Sequence, residues 1–99
     1  MTTNNLAIQE IPTIGKDNSA IIDALTKAKK VAVTLGHQGF KVLDISVGTR
    51  NPRIIINPSP RCKSLDGAEI KREKLSAAVI ITMSASIDGV QVEWMIPHA

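Results

Sequence analysis

"AAVIITMSASIDGVQVEWMI", residues 77–96, is the stretch that decides the fold of this 99-residue chain. Its Asp88-Gly89 pair is a typical two-residue hairpin turn, and apolar residues alternate on both sides of it. We therefore predict two paired strands, Ala77–Ile87 and Gly89–Ile96. The turn fixes a register in which four pairs share one face: Ile87 with Val90, Ala85 with Val92, Met83 with Trp94, and Ile81 with Ile96. Because all four pairs are apolar, this face is predicted to be the buried one.

The first half of the chain contains the spacing of an amphipathic helix. Its apolar residues recur at intervals of three and four: Ile21, Leu25, Ala28, Val31, Ala32 and Leu35. Asp17, Asn18 and Ser19 are all suitable N-cap residues, and Gly36 is a suitable C-cap. The pattern predicts one helix of about five turns.

A first hairpin is predicted between this helix and residue 58. Phe40–Val47 and Arg53–Asn57 have strand composition, and Gly48–Pro52 has the composition of a turn. If Val47 faces Ile54, the apolar residues of both strands fall on one side. The polar segment that follows the hairpin includes Ala68–Leu75, which fits either a short helix or an extension of a strand.

These elements predict an α+β domain of two layers. One N-terminal helix packs on one face of an antiparallel sheet made of two hairpins, in the order αββββ. Residues 6–14 contain Leu6, Ile8, Ile11 and Ile14 around Pro12, and either an extra edge strand or an extended arm would explain them. We expect a single domain over residues 1–99, with residues 1–5 disordered.

Composition limits the classes of protein. The hydrophobic fraction is 43% and the charged fraction 21%, which is typical of a globular domain. No apolar run approaches the roughly 20 residues of a membrane helix, so we expect no contact with a membrane. The first ten residues lack the pattern of a signal peptide, and one cysteine cannot form an internal disulfide. A cytoplasmic location is therefore predicted.

The chemistry of an enzyme is poorly represented in this sequence. One cysteine and two histidines provide no spacing typical of a metal site, so we expect no metal and no cofactor. Cys62 lies between Arg61 and Lys63, which would favour a thiolate, and His37 or His98 could act as its base. The alternative is a cysteine without a chemical role. We expect a protein that is not an enzyme.

Positive charge is concentrated in the middle of the chain. Residues 50–74 hold seven of the twelve basic residues and three of the nine acidic ones. We call these seven residues the basic rim: Arg50, Arg53, Arg61, Lys63, Lys71, Arg72 and Lys74. A two-stranded ribbon can enter a DNA groove, but aromatic residues for stacking on bases are scarce. The basic rim is therefore a candidate site for nucleic acid, a candidate site for an acidic host protein, or simply a solvated surface.

The face of the sheet opposite the helix is predicted to be unusually apolar. It should present nine residues: Phe40, Val42, Arg53, Ile55, Ile80, Thr82, Ser84, Glu93 and Met95. Scattered exposed apolar residues are common and would explain this pattern. A contact surface would explain it as well. On that hypothesis five residues form the contact with a partner or with a second copy in a homodimer: Phe40, Val42, Ile55, Ile80 and Met95.

Two segments carry a resemblance to known proteins. From "GFKVLDISVGTRNPRIIINPSPRCKSLDGA" (Gly39–Ala68) to "DGVQVEW" (Asp88–Trp94), the chain resembles small accessory proteins encoded by bacteriophages and prophages. The common features are a helix, a hairpin with an x-R-x-P-R tip, a Cys-x-x-Leu-x-Gly-Ala segment, and a last strand that ends near a tryptophan. The likeness spans about residues 39–96. It implies small non-enzymatic proteins without an assigned activity, which bind DNA or host proteins.

Two hypotheses for the function follow. The first is a phage-type binding module that contacts nucleic acid through the basic rim. The alternative is an inhibitor or adaptor that binds a host protein through the semi-apolar face of the sheet.

Overall fold

The computed structural model describes residues 18–48 and 51–98. Helix α1 (Ser19–His37) is followed by β1 (Val42–Ser46), β2 (Arg53–Ile56), a 3-10 helix (Pro60–Leu65), β3 (Ala68–Leu75), β4 (Ala78–Ile87) and β5 (Val90–His98). The strands form one sheet in the order β1-β2-β5-β4-β3. The predicted α+β fold is confirmed. The predictions for residues 1–5 and for residues 6–14 lie outside the described residues.

The hairpin of β4 and β5 forms as predicted. Asp88 and Gly89 have φ angles of 50° and 80°, which is the left-handed conformation that a type I′ turn requires at both positions. All four predicted apolar pairs are present, with Met83 opposite Trp94. The side chain of Trp94 belongs to the core, since the residue is only 4% exposed.

The sheet has a fifth strand, and it is mixed rather than fully antiparallel. Ala68–Leu75, for which the sequence left helix or strand open, is β3 and pairs with β4 at the edge of the sheet. β2 runs parallel to β5, with Ile54 opposite Val92. The remaining pairs of strands are antiparallel, so the two predicted hairpins meet through one parallel pair.

The register of the first hairpin differs from the prediction. Ile45 rather than Val47 lies opposite Ile54, because Val47 belongs to the loop. A bulge between Val42 and Asp44 adds one residue to β1 and reverses the alternation of its side chains. Val42 lies opposite the fully buried Ile56 and therefore belongs to the face that α1 covers, not to the opposite face.

The end of α1 lies beyond the predicted C-cap. The helix continues through Gly36 to His37, and Gly39 adopts the left-handed conformation with φ 92°. Gly39 N–H donates to Gly36 O at 3.1 Å, and Phe40 N–H donates to Leu35 O at 3.0 Å. This is a Schellman motif, and its usual apolar contact is present because Phe40 and Leu35 lie in the same core cluster.

The burial of α1 is less extensive than its spacing predicts. Ala28, Val31 and Leu35 are buried, but Ile21 and Leu25 are 45% and 49% exposed. Nineteen helical residues span about 28 Å, whereas strands of four and five residues span about 13–17 Å. The N-terminal turns of α1 therefore extend past β1 and β2. Within the described part of the chain, no helix is both long enough and apolar enough to cross a membrane.

The core lies between α1, the 3-10 helix and one face of the sheet. Val31 and Leu35 of α1 belong to the same cluster as the buried residues of β2 and β5. The 3-10 helix contributes Cys62, which is 5% exposed, and Leu65 packs against the cluster. Cys62 is therefore a core residue and not part of an exposed basic loop.

Candidate functional site

The basic rim does not form one continuous surface in the structure. Arg53 lies in β2 and Arg72 lies in β3, on opposite sides of the two central strands. Three strand spacings amount to about 14 Å across the sheet. The register also places these two arginines about 16 Å apart along the strands.

The cations of the basic rim are also divided between the two faces of the sheet. Directly opposite residues share a face, so Arg72 lies on the α1 side together with the buried Ile81. Lys71 precedes Arg72 in β3 and lies on the other face. Arg53 lies on that other face as well, because it neighbours Ile54, which is fully buried on the α1 side. A single flat ligand therefore cannot contact all of them at once.

Three cations of the basic rim have an acidic neighbour. The ion pairs join Arg53 Nη1 to Glu93 Oε2 at 4.0 Å, Lys71 Nζ to Glu73 Oε1 at 3.7 Å, and Arg72 Nη2 to Glu69 Oε1 at 3.0 Å. Arg72 donates a second hydrogen bond to Glu69 from Nε, at 3.1 Å. These hydrogen bonds lower the pKa of the Glu69 carboxyl and raise the pKa of Arg72. The carboxylates reduce the positive potential that an anionic ligand would meet.

Two other cations of the basic rim belong to the 3-10 helix. These are Arg61 and Lys63, and the guanidinium of Arg61 packs over Gly39, where a Cβ would lie 3.2 Å from Arg61 Nε. Lys74 is in β3, and Arg50 lies outside the described residues. Arg61 lies against Gly39, whereas Lys63 lines the cavity between the 3-10 helix and the sheet, so the structure does not join these two cations into one site.

The five residues predicted to form a partner or dimer face belong to two different surfaces. Ile55, Ile80 and Met95 lie on the open face of the sheet, with Ile55 and Ile80 half-buried and Met95 45% exposed. Phe40 is 7% exposed and lies in the core, so its predicted position on the open face is wrong. Val42 is also on the α1 side, as a result of the bulge in β1.

Phe40 and Val42 instead line an apolar groove between α1 and β1. We call it the α1–β1 groove, and its volume is about 530 Å³. Its lining residues come from the helix, from the segment after it and from the strand: Leu25, Lys29, Ala32, Val33, Gly36, Phe40, Val42 and Ile45. This volume is in the range of binding sites for ligands and side chains of a partner.

The walls of the α1–β1 groove are exposed large apolar side chains. Leu25 is 49% exposed, Val33 51% and Ile45 38%. Ile22, which is 52% exposed, continues the same side of α1 toward its N-terminus. Contiguous exposed apolar surface of this kind is typical of a site of interaction with another protein.

In the described part of the chain, the α1–β1 groove has one charged lining residue and one open position in its helical wall. Lys29 is the charged residue among the described residues that line it. Gly36 leaves a notch in the α1 wall, since a Cβ at this position would meet no other atom of the described chain within 4 Å. The groove therefore combines apolar walls, one cation and room for a side chain or a backbone.

The groove was not predicted from the sequence, although α1 contains a signal for it. Ile22, Leu25, Ala32 and Val33 form a second apolar stripe on α1, beside the stripe that faces the sheet. A helix with one covered face needs one apolar stripe about 100° wide. The second stripe is the observation that could have predicted an additional contact surface.

A second cavity of about 380 Å³ lies between the 3-10 helix and the sheet. Met83, Trp94 and Cys62 contribute to its lining, and Lys63 and Asp66 are further lining residues. His37 and His98 are not among its lining residues, so the cavity does not bring either predicted base to the thiol of Cys62. The structure thus offers no support for the hypothesis of a cysteine nucleophile.

Comparison with known proteins identifies a family for this chain. The model described as the Kil protein family matches residues 14–95, which is most of the sequence. Kil is a phage-encoded small protein, so the resemblance to phage accessory proteins is confirmed. No curated protein and no solved structure matches the chain.

Proposed function

The chain belongs to the Kil protein family of phage-encoded small proteins, and we propose that it acts by binding a protein of the bacterial host through the α1–β1 groove. The observation that carries this proposal is the composition of the groove. Seven of the eight described residues that line it are apolar or glycine, and three of these wall side chains are at least 38% exposed. Exposing such residues costs solubility and contributes nothing to the core, which is understandable if a partner covers them.

Nucleic acid, which would bind the basic rim, is a less suitable partner for this protein than a host protein in the groove. Binding to a nucleic acid depends on several cations that meet phosphates at the same time. The described cations of the basic rim are divided between two faces, and three of them lie beside carboxylates. Binding of nucleic acid to the basic rim stays a prediction, and the salt dependence of binding to a duplex tests it.

The open face of the sheet is a less apolar surface than the groove. Ile55, Ile80 and Met95 share it with ion-paired side chains such as Arg53 and Lys71. Mixed surfaces of this kind occur in contacts between proteins, and a homodimer through this face stays a prediction. The groove is the better candidate for the host protein because its walls are nearly free of charge.

Site-specific photo-crosslinking in the host bacterium tests the proposal. A photoreactive residue at Val33, in the groove, should capture a discrete host protein, whereas the same residue at Asp23, which is exposed on α1 but not part of the groove lining, should not. The captured protein is then purified and its affinity measured. Gly36→Phe should weaken binding at least about tenfold by filling the groove, and Gly36→Ala should leave it nearly unchanged.

Two results would contradict the proposal. One is equal capture from Val33 and Asp23, which would show contact without a preferred surface. The other is a captured protein that binds the Gly36→Phe variant as tightly as the wild-type chain.

A further inference from the structure

We propose that the occupant of the α1–β1 groove is an amphipathic helix of the partner protein, with a carboxylate side chain placed opposite Lys29. This inference rests on the proposed function and specifies the chemistry of the partner. Three features of the described residues carry it: the spacing of the α1 wall, the bulge in β1, and the position of the single charge.

The α1 wall fits another helix. Its lining residues, Leu25, Lys29, Ala32, Val33 and Gly36, recur at helical spacing over about 16 Å of the axis. That length matches about three turns of a partner helix, whose own anchors would lie at i, i+3, i+4 and i+7. Helices pack at axial distances of about 8–10 Å, with the closest approach where side chains are small. Ala32 and Gly36 provide such a place.

An added strand fits this site less well. β1 lies at the edge of the sheet, so its outer edge is the position where an extended peptide could pair. The bulge between Val42 and Asp44 interrupts the regular ladder within this five-residue strand. Bulges are one of the devices that protect an edge against further pairing. A helix needs no hydrogen bonds from β1 and is unaffected by the bulge.

The charge of the groove selects an acidic partner. Lys29 lines the groove, and Lys41 precedes β1, whereas the acidic Asp44 of β1 lies opposite Ile55 on the open face of the sheet. A carboxylate buried beside Lys29 would be compensated there, and a cation would be repelled. A second copy of the chain would bring another Lys29 toward the same apolar site, which makes a self-complementary contact unfavourable.

Binding of labelled model peptides, followed by fluorescence anisotropy, tests this inference. The first probe is a helix-forming peptide of about 14 residues with leucines at i, i+3, i+4 and i+7 and a central glutamate beside them. The second probe has lysine in place of the glutamate. The wild-type chain should prefer the glutamate peptide by about tenfold. Lys29→Glu should reverse this preference, and the matched variant Lys30→Glu should retain it.

A third probe distinguishes a helix from an extended segment. A proline at the centre of the glutamate peptide breaks the helix and should reduce affinity about tenfold or more. Equal binding of the proline peptide would overturn the helical occupant in favour of a strand. If the wild-type chain and the Lys29→Glu variant prefer the glutamate peptide over the lysine peptide to the same extent, the charge of Lys29 does not select the partner.

The failure of this inference can be told apart from failure of the proposed function. If Val33 captures a host protein and Gly36→Phe abolishes that binding, but no peptide binds, the groove is a protein site and its occupant is not an acidic helix. If neither the host protein nor the peptides depend on the groove, both proposals fail.

Discussion

Met83 and Trp94 lie directly opposite each other in β4 and β5, on the face that the 3-10 helix covers. Trp94 is 4% exposed, so replacing its indole removes a large part of the core. We expect Trp94→Ala to lower the free energy of unfolding by about 3–5 kcal/mol. Urea denaturation followed by circular dichroism measures this change. A loss below about 1 kcal/mol would show that the indole is not packed in the core.

The second prediction concerns the close approach of Gly67 to the ring of Trp94. A Cβ at Gly67 would lie 2.9 Å from Cζ2 of Trp94, and closer still to Cη2, so the ring or the backbone would have to move. We expect Gly67→Ala to destabilise the fold by about 1–3 kcal/mol. Trp94 is the single tryptophan of the chain, so its emission spectrum reports the displacement. Gly48→Ala is the matched control, because a Cβ there meets no described atom within 4 Å; an equal loss in both variants would contradict the explanation.

The third prediction uses two glycines that differ in backbone conformation. Gly36 is helical and has open space around it, so Gly36→Ala should stabilise the chain by up to about 1 kcal/mol. Gly39 has a φ of 92° in the Schellman motif, so Gly39→Ala should destabilise it by about 1 kcal/mol. Midpoints of thermal unfolding should therefore move in opposite directions. Stabilisation by Gly39→Ala would be inconsistent with this end of α1.

The parts of the fold that could be predicted are those with local signals. Asp88-Gly89 specifies a turn, and the turn specifies a register that alternation supports, so the β4–β5 pairs followed directly. The parallel contact of Ile54 with Val92 joins residues far apart in sequence, and no local pattern encodes it. The bulge after Val42 also depends on tertiary structure. It moves Val42 from the predicted open face of the sheet to the face that α1 covers.

The candidate site was harder to predict because it depends on the lengths of elements and not on a motif. Leu25 and Val31 both fit a helical spacing of apolar residues, yet only Val31 is buried, and Leu25 belongs to the second stripe that lines the groove. The basic rim was a cluster in sequence that the topology separates in space, since β5 and β4 lie between Arg53 in β2 and the cations of β3. The number of basic residues in residues 50–74 of the sequence therefore overestimated how many cations share one surface of the structure.

The fourth prediction tests the nucleic-acid hypothesis. The described cations of the basic rim are divided between the 3-10 helix, β2 and β3, so a duplex should release few counterions on binding. Each phosphate contact contributes about −0.9 to the slope of log affinity against log salt. We expect a slope no steeper than about −2 for a generic duplex of about 20 base pairs, measured by anisotropy at several salt concentrations. A slope near −4.5 would indicate about five contacts and would support the basic rim as a nucleic-acid site.

The last prediction separates the open face of the sheet from the α1–β1 groove. Ile80 lies on the open face beside Met95, and a two-fold contact through this face would bury both. Ile80→Asp places a charge in that contact, so it should shift a dimer toward monomer by about tenfold or more in dissociation constant. Val33→Asp charges the groove and should leave the dimer intact while it abolishes binding of the captured host protein.

Sedimentation velocity of both variants measures association, and circular dichroism confirms that each is folded. If Ile80→Asp changes only self-association and Val33→Asp changes only binding of the host protein, the dimer contact lies on the open face and the host contact lies in the groove. A wild-type chain that sediments as a monomer at tens of micromolar would show that the homodimer prediction is wrong. Loss of the dimer in Val33→Asp would instead place the second copy in the groove, where the like charges of Lys29 were expected to exclude it.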